Sequence, residues 1–234
     1  MSKTEDSKEG RRPAHRVRAV PDTPRREEKR AERRRQLIEA ALEAIAERGF
    51  AACTVYDIAR HAGLSHGLVN FHFDSKESLF ECVIDMLAAE FRAAWQLALQ
   101  HSEAGTVERV KALALAPLDK AICSRSKLSV WFAFWGEAGP RRRYREISLE
   151  LEREYLAALT EALRQATGHA ASDAATDASL ISGLCDSLWL EMHLGQSALS
   201  VQAARLRMTK GLTRLLPDLK PGGKRTASDH QSAG

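Results

Sequence analysis

Apolar residues recur at helical spacing from about residue 27 to residue 216, and almost nothing alternates with the period of two that a strand requires. Leu37, Ile38, Ala41, Leu42 and Ile45 form one face of a first helix that Gly49 is expected to end. The pattern is densest between residues 54 and 80. Thr54, with Asp57 three positions on, predicts a capped helix whose apolar face is Ile58, Ala59 and Ala62, and Gly63 predicts its left-handed stop. Leu64 marks a buried turn and Ser65 is the next candidate N-cap. The helix that follows is very short, His66 to His72. Leu68 and Val69, extended by Phe73, point inward, while His66, Gly67, Asn70 and Phe71 point away. Asp74 with Glu77, or else Ser75, opens a further helix, which Val83, Ile84, Leu87 and Phe91 carry into a long fourth element. Lys76 then falls in a first turn, where the helix dipole disfavours a cation unless a phosphate binds beside it.

Two short helices, a glycine turn and a third helix start are the layout by which a small α domain offers one helix to a DNA groove. The motif Thr54-x3-Ile58-Ala59-x2-Ala62-Gly63-Leu64-Ser65-x-Gly67, followed by Phe71-His72-Phe73-x-Ser75-Lys76-Glu77-x-Leu79, resembles the DNA-binding region of TetR-family transcriptional regulators. The resemblance covers roughly residues 33 to 85. It implies an all-α protein: an N-terminal three-helix DNA-binding domain with a helix-turn-helix, and a C-terminal helical ligand-binding and dimerisation domain. It implies a homodimer on a palindromic double-stranded operator, acting as a repressor, with Thr54, Ser65, His66, Gly67, Asn70, Phe71, His72 and Lys76 at the DNA. Asn70 departs from the tyrosine that many members carry there; it can bond an adenine edge or a phosphate. Within the family, Leu64 to Asn70, Val130 to Ala138 and Gly183 to Leu190 are similar to the choline-responsive, BetI-like branch.

Later helices follow the same spacing. Residues 105 to 216 predict five helices, with Ser172 and Ser200 as candidate caps and Gly168 and Gly195 as stops. Trp131 and Trp135 are four apart and share a face, Phe132 and Phe134 flank them, and Tyr144 and Trp189 are further aromatics. Such a stripe fits a packed core. It equally fits a site for a quaternary ammonium group, each ring contributing about 0.5 to 2 kcal/mol, with Glu137, Asp186 or Glu191 balancing the charge. The candidate effector residues are therefore Trp131, Phe134, Trp135, Glu137, Tyr144 and Trp189, and choline is the candidate effector that the resemblance suggests. A regulator of drug efflux, or of another metabolic pathway, would use the same aromatics. Leu180, Ile181, Leu184, Leu188, Leu206, Leu212, Leu215 and Leu216 give two helices an apolar face suited to a four-helix dimer interface.

Charge divides the chain. Residues 1 to 36 hold thirteen Lys or Arg against seven Asp or Glu, a net +6, whereas the whole chain is +4 and the remainder therefore −2. Attraction to phosphates is expected from this segment, whose densest part is Arg11, Arg12, Arg16, Arg18, Arg25 and Arg26. The expected organisation is a basic arm over 1–24, the helix-turn-helix domain over 25–80, the regulatory domain over 81–217 and a tail over 218–234. No apolar run is long enough for a membrane span and the N-terminus has no apolar signal region, so a cytoplasmic protein is expected. Cys53, Cys82, Cys123 and Cys185 stand singly, without metal-ligand spacing, and read as reduced structural thiols. His61, His66 and His72, and the His193–Glu191 pair, are wrongly spaced for shared ligation on one helical face, and no nucleophile–base pair is visible, so neither an enzyme nor a bound cofactor or metal is expected.

Overall fold

The computed structural model describes residues 24–139, 141–195 and 199–217. The arginines at 11, 12, 16 and 18 and the tail beyond 217 lie outside the described residues. The described chain is helical throughout: α1 (Pro24–Ala52), α2 (Val55–Ala62), α3 (His66–His72), α4 (Lys76–Gln100), α5 (Val107–Leu115), a 3-10 turn (Ala116–Leu118), α6 (Arg125–Ala138), α7 (Arg142–Thr167), α8 (Ala171–Leu194) and α9 (Val201–Leu215).

Local chemistry accounts for most boundaries. Thr54 and Asp57 form a reciprocal capping box at α2: the Thr54 hydroxyl accepts from the Asp57 amide at 3.2 Å, and the Asp57 carboxylate accepts from the Thr54 amide at 3.0 Å. Asp57 is buried, and the Thr54 hydroxyl and amide, with Arg48 at 3.0 Å, hold its carboxyl below the usual range. Gly63 ends α2 at φ 63, a left-handed conformation that a Cβ would strain. Gly49, at φ 74, interrupts α1 rather than ending it, and one further turn runs on to Ala52.

Three further expectations need revision. Ser65 occupies the N-cap position of α3, but its hydroxyl accepts no cap hydrogen bond. Leu64 is half-buried rather than buried. Of the two starts expected for α4, the cap is Ser75, reciprocated by Ser78, and not the Asp74–Glu77 pair. At α8 the cap position is Ala170, and Ser172 lies inside the helix; Ser200 caps α9 as expected.

The DNA-proximal and C-terminal parts share one continuous core. Leu37, Ala41 and Ile45 of α1, Ile58 of α2, Val69 of α3 and Leu79 and Val83 of α4 are buried together. The same cluster runs through Phe50, Phe80, Tyr144 and Phe134, whose rings meet at centroid distances of 5.0 to 5.8 Å. Helix α4 crosses position 80 without a break: it starts beside α3 and delivers Phe91 to the interior of the C-terminal bundle, roughly 22 Å further along at 1.5 Å per residue.

Candidate DNA-reading helix and effector cavity

Helix α3 presents His66, Gly67, Asn70 and Phe71 to solvent and buries Val69 behind them. Phe71 is 68% exposed, although a phenyl ring gains about 1.5 to 3 kcal/mol on burial, so α3 displays an apolar side chain where an isolated surface would not. Tyr56 on α2, opposite the Ile58–Ala59–Ala62 stripe, is likewise 70% exposed; its place opposite the apolar stripe is the signal that would have singled it out. Asn70 Nδ2 lies 3.3 Å from His66 Nδ1, one turn away, so the two polar side chains brace each other. Thr54 is exposed at the start of α2, and His72 is half-buried with its ring edge-on to Phe71 at 5.2 Å.

Lys76, expected at the DNA, also has a partner within the protein. Its Nζ donates to the Cys53 carbonyl at 3.2 Å and stands 5.4 Å from the Phe80 ring centre. That bond ties α4 to the end of α1 and offsets the dipole's disfavour of a cation. Burial pushes the Cys53 thiol up to about 11, leaving it protonated and inert.

A second feature lies in the C-terminal bundle. A cavity of about 220 Å³ is enclosed by α4, the 3-10 turn, α6, α7 and α8. Trp131, Trp135 and Trp189 form one wall, their ring centres mutually 6.1 to 6.2 Å apart, and Phe91 meets Tyr155 at 5.4 Å and Trp189 at 6.1 Å. Two polar groups of the lining are already used: Trp189 Nε1 donates to the Pro117 carbonyl at 3.1 Å and the Tyr155 hydroxyl to the Leu113 carbonyl at 3.1 Å. Other polar groups remain. Asp186 and Glu152 line the cavity at its exposed side, and no ion pair among the described residues engages either. Desolvation by the cavity wall, reinforced by Glu152, pushes the Asp186 carboxyl up to about 6. The Ser148 hydroxyl also lines the cavity; it is buried and has no hydrogen-bond partner.

Of the expected effector residues, Trp131, Trp135 and Trp189 come together here. Tyr144 instead packs on Phe50 in the core joining the two domains, with Phe134 against Tyr144, and Arg141 donates to Glu137 on the protein surface at 3.0 Å. Phe134 follows Trp131 by three positions and meets its ring at 5.8 Å, but it does not line the cavity. Phe91, Ser148, Glu152 and Tyr155, which sequence spacing did not single out, complete the lining from α4 and α7.

Comparison with known proteins agrees with this arrangement. Residues 37–83 match the family of bacterial regulatory proteins of the tetR type, and residues 106–217 match the C-terminal domain of BetI-type transcriptional repressors. The HTH-type transcriptional regulator BetI of Escherichia coli O45:K1 is 30% identical over 186 residues, 79% of this chain and 94% of that protein. A transcriptional regulator from Pseudomonas aeruginosa PAO1 superposes with a TM-score of 0.62 at 29% identity, covering 79% of this chain and 90% of that one. A transcriptional regulator from Saccharomonospora viridis, solved in complex with choline, gives a TM-score of 0.68 at 22% identity over 78% and 96% of the two chains. These relatives are transcriptional regulators, not enzymes. With a helix-turn-helix at its N-terminus and a BetI-type domain behind it, the chain belongs to the TetR family of bacterial transcriptional regulators.

Proposed function

We propose that this regulator is a repressor that binds a palindromic operator as a homodimer and is released by a small organic cation of the choline type. The observation that carries the effector class is the cavity: a wall of three tryptophans faces an exposed side lined by two carboxylates without ion pairs among the described residues. Aromatic faces attract quaternary ammonium groups, and a desolvated carboxylate balances their charge. Size favours the same class. At about 220 Å³ the cavity falls below the roughly 300 to 1,000 Å³ of pockets that hold drug-sized ligands, so a bulky efflux substrate fits less well than a small cation. The choline complex of the Saccharomonospora viridis protein supports the reading by likeness of fold.

The dimer follows from exposed apolar surface and from DNA geometry. Leu180, Leu190 and Leu194 on α8 and Leu206 and Leu215 on α9 are 41% to 56% exposed. Ile181, Leu188, Leu212 and Leu216, expected on the same face, pack inside the protomer instead. One short helix reads few bases, whereas two copies read half-sites about 34 to 36 Å apart or a multiple of that. Release is linkage: the cation must bind more tightly to a state whose paired α3 helices no longer match the half-sites. Helix α4, with Lys76 at the DNA end and Phe91 in the cavity wall, is the element that both sites bias. Choline titrated to millimolar levels into the purified protein should quench or shift tryptophan emission and release operator DNA over the same range. Absence of both responses would sink the effector assignment and leave the DNA-binding role standing.

A further inference from the structure

Helix α6 has two neighbours of different kinds. Its Trp131 and Trp135 form part of the cavity wall, and the same helix packs against α1 of the DNA-binding domain. Near the start of α6, Ser126 Oγ donates to Glu43 of α1 at 2.7 Å; near its end, Phe134 is fully buried.

From Trp131 a line of rings in contact runs out of the cavity wall toward the helix-turn-helix. Phe134 meets Trp131 at 5.8 Å and Tyr144 of α7 at 5.0 Å. Tyr144 meets Phe50, in the last turn of α1, at 5.8 Å, and Phe50 meets Phe80 of α4 edge-on at 5.2 Å. Lys76 Nζ, 5.4 Å from the centre of the Phe80 ring, donates to the carbonyl of Cys53, the residue before the Thr54 cap of α2. The line joins four helices and ends one peptide short of the DNA-reading unit.

Two physical features suit this line to passing on a displacement. Phe50, Phe80, Phe134 and Tyr144 are at most 5% exposed. Rings packed that closely have no free space in which to absorb a shift of α6, so the shift reaches the next ring as a rearrangement. At the far end, Gly49 has φ 74 and separates the last turn of α1 from the body of the helix. The turn that carries Phe50 can therefore re-aim about a glycine, without bending regular helix, and it takes the Cys53–Thr54 connection with it.

We infer that Phe134, Tyr144 and Phe50 are positioning residues for release from DNA: through them the cavity wall on α6 sets the placement of the last turn of α1 and of the start of α2. The inference rests on the cavity and α3 being the two linked sites. It adds a connection through α6, α7 and α1 to the one proposed along α4.

Phe50→Leu and Tyr144→Leu each take one ring out of the line and keep apolar bulk, while Tyr144→Phe keeps the ring. Neither position lines the cavity or lies on α3, so choline affinity without DNA and operator affinity without choline should each stay within about twofold of wild type. The factor by which millimolar choline weakens operator binding should fall at least about fivefold in both leucine variants and be kept in Tyr144→Phe. An unchanged factor in the leucine variants overturns the inference and leaves α4 as the connection. So does a loss in Tyr144→Phe as large as in Tyr144→Leu, because ring contact would not then be what matters. A leucine variant whose choline affinity falls as far as its factor has only a disturbed cavity, and that too overturns it.

A second measurement depends neither on choline nor on a variant. Linkage is reciprocal, so operator DNA selected from a random duplex pool must act back on the cavity wall. In wild-type protein it should change amide exchange over residues 131–135 by about fivefold. If choline has no effect and this change is seen, the choline assignment fails and the line of rings stands. If exchange over 131–135 is indifferent to operator, the line of rings fails whatever choline does.

Discussion

Asp186 is where residue chemistry sets the behaviour of the cavity. Its carboxyl, raised to about 6 chiefly by desolvation, must ionise before it can balance a bound cation. Choline affinity should therefore rise as pH increases from 5 to 7 and level off above. Asp186→Asn should lose about tenfold in affinity at pH 7.5 and show no such rise, as isothermal calorimetry across that range can check. The stability effect has the opposite sense. A carboxyl whose folded value lies above its unfolded value stabilises the fold fully only below the unfolded value, and that contribution is lost as pH rises through about 6. Ligand-free Asp186→Asn should thus melt higher than wild type at pH 8 and no higher at pH 4. Ser148 offers a second test. Its buried hydroxyl has no partner, so Ser148→Ala should leave ligand-free stability unchanged or slightly improved. It should weaken choline, which carries a hydroxyl, by about fivefold while sparing tetramethylammonium, which has none; equal losses for both would show that the serine does not meet the alcohol.

At the scale of elements, the helix-turn-helix is held by few interactions, each with a clear role. Thr54→Ala removes both the cap of α2 and a partner of the buried Asp57 carboxylate. It should cost about 1 to 2 kcal/mol, seen as a lower urea midpoint with an unchanged slope. Gly63→Ala meets open space but forces a Cβ into φ 63, and it should cost about 1 kcal/mol by strain alone. Motif spacing made these caps and the glycine stop legible, because a cap is a local hydrogen bond and a left-handed stop a local dihedral. The competition at α4 was not legible that way: Asp74, Ser75 and Glu77 all suit a cap, and backbone geometry selects Ser75 with Ser78. The intramolecular partner of Lys76 was not legible either, since it is a carbonyl 23 positions away.

For the whole molecule, the decisive surfaces are those the single chain leaves uncovered. Leu180 and Leu206 are 51% and 56% exposed on neighbouring helices that touch closely enough for a Cβ at Gly211 to come within 2.6 Å of Leu184. Leu180→Glu with Leu206→Glu should shift the protein to monomer in sedimentation velocity at micromolar concentration and abolish operator binding without lowering helix content. A dimer that persists in the double variant would put the interface elsewhere. The coupling proposed between effector and DNA belongs to the same scale. Lys76 and Phe91 share the single helix α4, and ion pairs at Arg92–Glu154, 2.6 Å, and Lys127–Glu90, 2.5 Å, fix that helix to α7 and α6 around the cavity.

The sequence by itself determined the helices, the caps of α2 and α9, the glycine stops of α2, α7 and α8, and the family of the DNA-reading motif, because periodicity, capping and a short contiguous motif are all properties of neighbours along the chain. It also located the three tryptophans of the cavity wall, two of which are a helical turn apart. Only the tertiary structure decided which aromatics face an open space. Phe134 and Tyr144 share the composition and the neighbourhood of the cavity residues yet lie in the core between the domains, while Phe91, Ser148, Glu152 and Tyr155 are brought in from helices that spacing cannot align.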